Sequence, residues 1–205
     1  MKKNTFRLFA LLLAVLLVFG AAGCSQPAPL EYTRYPIPTH GQMPNRSDLD
    51  RFDYYFADEV PEIILMEVSD EWILDPVSMG NGEIAQGPYI YYLPGKVKQI
   101  ILDAGVKKNE KVLAHFGGEE IFFSREMCPG YVKGHSYILF GASGYTDGPE
   151  GNTKTVFSSH PFLAAYVKTD GTIQPLTDCR ALDDFAGMTV DEFTVAINEY
   201  FAEKA

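Results

Sequence analysis

The chain has 205 residues, 27 of them acidic and 17 basic, and a formal net charge of −10 at pH 7. That length suits one ordinary domain with a proper core. A surface this acidic gains nothing from phosphate backbones or anionic headgroups, so neither nucleic acid nor membrane contact beyond an anchor is expected.

The opening, MKKNTFRLFALLLAVLLVFGAAGC, places Lys2, Lys3 and Arg7 before an uninterrupted apolar run from Phe9 to Phe19. Small residues Gly20, Ala21, Ala22 and Gly23 then lead to Cys24. That order is the pattern of an export signal with a cleavage site. The apolar run is shorter than the roughly 20 residues a stable membrane span wants. AAGC resembles the lipobox of bacterial lipoproteins in its small residues and its cysteine, with Ala21 where Leu is usual. The resemblance implies a signal peptide over 1–23, cleavage before Cys24, and a lipid on that thiol that holds the protein on the extracytoplasmic face of the cell membrane. An ordinary secreted protein cut nearby, or an uncleaved anchor, is the alternative.

Residues 24–47 follow, with proline at 27, 29, 36, 38 and 44 and no sustained apolar period. They read as an extended tether. Residues 48–205 form the single extracytoplasmic domain. SDLDRFDYYFADEV suggests a short helix capped by Ser47 or Asp48, with Leu49, Phe52, Tyr55 and Phe56 on one face. EIILMEV (Glu62 to Val68) reads as a buried strand. YIYYLPGKVKQIIL (Tyr89 to Leu102) is a second, with a bulge or break expected at Pro94-Gly95. EKVLAHF alternates, placing Val112, Ala114 and Phe116 together, and EEIFFS and HSYILFGAS continue the pattern. In FLAAYVKTDGTIQPL, Asp170-Gly171 between apolar runs signals a hairpin. MTVDEFTVAINEYFAEKA predicts a helix over 189–203, since Thr189 and Glu192 match a capping box. Phe193, Ala196, Ile197, Tyr200 and Phe201 recur at helical spacing, with Phe193, Ile197 and Tyr200 expected against the sheet. The fold class is mainly β (α+β), a small OB-like barrel or a sandwich with a C-terminal helix.

From Tyr89 to Cys179 the order GKVKQIIL, KKNEK, VLAHFGG, MCPGYVKGHSYILFG and LTDC resembles the netrin-like and tissue-metalloproteinase-inhibitor modules. Gly134, Tyr137 and Gly141 supply their G-x-x-Y-x-x-x-G strand, and Cys128 and Cys179 stand where those modules carry cysteines. The resemblance implies an OB-type barrel. The inhibitors' chelation of zinc by a free N-terminal cysteine amine does not carry over, because a lipidated Cys24 on a tether cannot present that amine.

No stretch announces a reaction, and no catalytic residue, cofactor or metal is assigned. Cys128 and Cys179 are a disulfide candidate in an exported protein, worth roughly 4 kcal/mol in the chain-entropy view. Two unbridged thiols, or a lone nucleophile lacking its His, are the rivals. His40, His115, His135 and His160 show no metal-ligand spacing, although His115 stands near Glu119 and Glu120. GASGYTDG (Gly141 to Gly148) reads as a hairpin tip, SSHP (Ser158 to Pro161) as a strand start, and LTDCRALDDF as a solvated acidic loop, with Asp178, Asp183 and Asp184 as weak Ca²⁺ candidates. The expected function is a binding module at the cell envelope with a protein or glycan partner. The alternative is an envelope hydrolase whose site is assembled from scattered residues. A shallow aromatic groove favours the first, and carboxylates converging beside a His or Ser in a deep pocket favour the second.

Overall fold

The computed structural model describes residues 34–36, 46–56, 60–78, 84–116, 130–147 and 153–204. Cys24, Cys128, Glu119, Glu120, His40 and the EEIFFS segment lie outside them. In chain order the elements are the single helical turns α1 (Arg46–Leu49) and α2 (Phe52–Tyr55), then β1 (Glu62–Val68), β2 (Ile73–Ser78), β3 (Ile84–Leu102) and β4 (Lys111–Phe116). β5 (Ser136–Asp147), β6 (Thr153–Val167) and β7 (Ile173–Pro175) follow, then a 3-10 helix (Arg180–Phe185) and α3 (Val190–Ala202).

β1 pairs with both β3 and β5, which closes the path β1-β3-β4-β6-β5 into a ring. Every pairing in the ring is antiparallel except β4 with β6. Numbered along the chain, the ring strands close in the order 1-2-3-5-4-1. That is the order of a small OB-type barrel, and closure leaves the ring without an open edge. β2 pairs with the first half of β3 and β7 with the end of β6, both outside the ring.

Alternation decides which side chains enter the barrel. Val112, Ala114 and Phe116 of β4 are buried, as expected, and so are Ile64, Met66 and Val68 of β1 and Leu93 and Val97 of β3. On β1 and β5 the outer face is buried too. Ile63 stands opposite Phe140, and the Phe140 ring packs on Phe52, Phe56 and Phe193. α2, the 3-10 helix and α3 thus cover one side of the barrel through a cluster of rings.

α3 follows its sequence closely. The Thr189 hydroxyl accepts from the Glu192 N–H at 3.3 Å, and the Glu192 carboxylate accepts from the Thr189 N–H at 2.8 Å. The capping box is therefore reciprocal. Phe193, Ile197 and Phe201 are buried, while Tyr200 is only half-buried. Tyr200 therefore flanks the stripe and Phe201 completes it, and the docked Phe52 ring packs against both.

Several local expectations are corrected. The N-terminal helix is two separate turns interrupted at Asp50 and Arg51. β3 runs through Pro94-Gly95 without a break. Pro94 contributes its carbonyl to the Ser69 N–H at 3.0 Å, and Gly95 sits where a Cβ would run into the Met66 side chain. The register irregularities against β1 fall further along β3, between Val97 and Gln99 and between Ile100 and Leu102. GASGYTDG is no hairpin tip through Asp147, because it continues β5 against β6. Gly141 is required there by close approach, since a Cβ would collide with the Ser158 carbonyl oxygen. SSHP lies in the middle of β6, and the acidic loop contains the 3-10 helix, with Asp183 paired to Arg34 at 2.6 Å. Asp170-Gly171 does turn a hairpin, with Gly171 at φ 84°.

Within the stretch expected to be a tether, Tyr35 is fixed to the barrel. Its N–H donates to the Leu176 carbonyl at 2.9 Å, and its own carbonyl accepts from the Asp178 N–H at 2.8 Å.

Candidate functional site

α3 sits on the end of β3, where Gln99 donates to the Thr194 hydroxyl at 3.4 Å. Among the described residues the helices leave uncovered the outer face of β4, of residues 92–96 of β3 and 154–158 of β6, and of the end of β5. A continuous rung crosses it. Tyr92 pairs with His115, His115 with Ser158, and Ser158 with Ala142. One step along, Leu113 pairs with Val156, and Val156 with Gly144. The inward neighbours Leu93, Ala114 and Phe157 are buried, so alternation turns Tyr92, His115 and Ser158 outward.

A groove lies on that face. The groove holds about 290 Å³ and is lined by Tyr92, His115, Ser143, Tyr145, Val156 and Ser158 over the backbone of Ala142 and Gly144. A Cβ at Gly144 would meet nothing within 4 Å, so the floor is open there. Tyr145 is 74% exposed. It pairs with Thr155, two residues from inward-facing Phe157, so alternation sends its ring to the face opposite Ser158. The ring on the groove's own face is Tyr92, 8% exposed. Ser158 Oγ and His115 Nε2 are 3.0 Å apart, and the His115 ring stands edge-on to Tyr92 at 6.0 Å between centroids. Burial holds the His115 pKa below its ordinary value, which keeps the ring neutral near pH 7. No carboxylate is among the lining residues.

That arrangement can hydrogen-bond. As a nucleophile and base, Ser158 and His115 lack two things an acyl-transfer site needs. No acidic group orients the imidazole among the lining residues. The backbone around Ser158 is engaged on both sides, with β4 and with β5, so it offers no N–H for an oxyanion.

The remaining candidates lie elsewhere. His135 is buried beside the Tyr166 hydroxyl at 3.2 Å, under a second cavity of about 190 Å³. His160 is wedged against the Tyr55 ring at 4.6 Å, and its Nδ1 accepts from the Phe162 N–H at 3.3 Å. Burial carries its pKa down to about 4. Cys179 is buried, with its sulfur 3.5 Å from the Tyr55 hydroxyl. Burial is the larger cause that pushes that hydroxyl's pKa up, and the thiol adds to it. The described residues contain no group of three His, Cys, Asp or Glu placed to hold a metal ion.

Sequence reasoning reads SSHP as a strand start and sets His115 near Glu119 and Glu120, and misses that Ser158 and His115 meet. Only the parallel pairing of β4 with β6 joins them. No family model matches this chain, and neither a curated protein nor a solved structure is similar to it.

Proposed function

We propose that the chain is a lipid-anchored binding module of the cell envelope, held through Cys24 and binding an envelope glycan in the groove on the uncovered face of its barrel. The leader and the AAGC stretch support the anchor. The strand order is that of an OB-type barrel, the fold the netrin-like resemblance implies. The binding reading rests chiefly on one observation: an open groove, with no carboxylate among its described lining residues, that sets the Tyr92 ring beside a Ser158–His115 hydrogen-bonding pair. Neutral donors and acceptors at the edge of a ring suit the hydroxyl rim of a sugar.

The test is co-sedimentation of the detergent-solubilised full-length protein with insoluble envelope glycan. Gly144→Trp fills the groove at a position open to a side chain. Binding should be lost in that variant while the melting temperature is retained. Equal sedimentation of variant and wild type would remove the groove from the function. The hydrolase alternative draws on the 3.0 Å Ser158–His115 contact. It requires that Ser158 be labelled by a fluorophosphonate and that Ser158→Ala abolish the labelling.

A further inference from the structure

The net charge of the chain conceals a local excess of the opposite sign. Lys96 is paired with Lys111 across β3 and β4. Lys111 and Lys154 each stand two residues ahead of the Leu113–Val156 pair on the parallel strands β4 and β6. Val97, Val112 and Phe157 are buried, so alternation puts all three lysines on the outer face, in one row across three strands. Neighbours in such a row have Cβ atoms about 5 Å apart, and like charges there destabilise a sheet. None of the three makes an ion pair among the described residues. Glu67 stands opposite Lys96 on β1, but its carboxylate is bonded to Lys98 at 3.0 Å. The Glu110 carboxylate is held by the Thr155 hydroxyl and the Lys107 N–H at 2.7 Å each. The β3–β4 turn adds exposed Lys107 and Lys108 nearby.

The row borders the groove. Val156 lines it, and Lys154 is two residues away, about 7 Å along the strand. Fixed neutral groups for a sugar therefore lie one phosphodiester repeat from a row of positive charge. We propose that groove and row form one site for a phosphodiester-linked polyol or sugar polymer, with hydroxyl-bearing units on His115 and Ser158 and phosphates on Lys96, Lys111 and Lys154. The inference rests on the groove being a binding site, and it sets a local exception against the exclusion of phosphate partners drawn from net charge.

A bilayer surface fits less well. Leu176, which fixes Tyr35, bonds the Ala164 carbonyl, ten residues along β6 from Lys154 and up to about 30 Å away. The row therefore lies far from the point where the tether joins the barrel. Single-stranded nucleic acid wants successive rings for successive bases, and the ring on the groove's face, Tyr92, is 8% exposed.

The experiment is titration of the detergent-solubilised full-length protein with poly(glycerol phosphate), uncharged polyglycerol, oligo(dT) and phosphatidylglycerol vesicles. Poly(glycerol phosphate) should bind, with a slope of log K against log salt of about −2 for three phosphates. The K96Q/K111Q/K154Q variant should weaken it roughly tenfold or more, and Gly144→Trp should weaken it too, with melting temperatures unchanged. Equal binding of polyglycerol would overturn the role of the lysines and leave the groove standing. Loss in the lysine variant but not in Gly144→Trp would separate the row from the groove and remove support from the proposed function. Tighter binding of oligo(dT) or of vesicles, or binding of none of the four, would overturn the proposal.

Discussion

Replacing Phe193 with Ala measures how far α3 belongs to the barrel. The ring is 1% exposed and packs edge-on against Phe185 at 5.2 Å and Phe140 at 6.1 Å between centroids. An isolated helix of this length is marginal in water, so packing of this stripe must hold it. Truncating a fully buried Phe costs about 3–5 kcal/mol in transfer and cavity energy. Much of that loss should be felt, because strands fix Phe140 and the 3-10 helix holds Phe185, so the site collapses poorly. At about 2–4 °C for each kcal/mol in a chain of this size, the midpoint should fall by roughly 10 °C. The assay is a thermal melt of the full-length protein in detergent, with Glu199→Gln as a control on the exposed side of α3. A Phe193→Ala midpoint within a degree or two of wild type would refute the packing argument. The stripe would then be a docking surface.

Cys24→Ala should release the protein from membranes or trap an uncleaved precursor, and unchanged fractionation and electrophoretic mobility would exclude lipidation. For Cys128 and Cys179, thiol titration of the denatured, unreduced protein should find neither reactive, and two reactive thiols in the domain would end the disulfide proposal. Thr189→Ala removes the hydroxyl half of the capping box and should cost about 1 kcal/mol in a urea titration, while Thr189→Ser should cost far less. His160 is half-buried, and desolvation lowers its pKa from 6.5 to about 4. The unfolded chain therefore takes up that proton first on acidification, and stability should be fully present above about pH 6.5 and lost as the pH falls towards 4. That lowering corresponds to about 3 kcal/mol, so a His160→Gln variant should show a flatter stability profile between pH 7 and 4.

The elements that sequence reasoning reads well are those whose signals are local. α3 carries its cap, its capping partner and its apolar stripe within its own residues, and β4 carries its alternation in KVLAHF. The exchange of Tyr200 for Phe201 in the buried stripe is not local, because it depends on where Phe52 and Phe56 dock from the other end of the domain. GASGYTDG has the composition of a turn, yet Gly141 is there for the approach of two backbones, and only the partner strand reveals that. The site is the least legible part. Its central pair, Ser158 and His115, is 43 residues apart in sequence and is joined by the one parallel pairing of the ring. A parallel register leaves no hairpin signal between its strands.

Net charge misleads about the lysine row for a related reason. It sums over the whole surface, whereas at physiological salt a bound anion feels charges over about 8 Å. The chain's excess of acid governs its long-range field and slows the approach of any polyanion. Once a phosphate lies on the row, cross-strand neighbours about 5 Å away dominate over carboxylates on the far side of the barrel. Lys96, Lys98, Lys107, Lys108 and Lys111 fall within one short stretch of sequence. The hairpin of β3 and β4 sets Lys96 beside Lys111, and Lys154 arrives from β6. The same ring closure that brings Ser158 to His115 therefore assembles the row. A variant that shifted the β4–β6 register by one residue would turn Lys154 and Ser158 inward together, so the groove and the row stand or fall on one pairing.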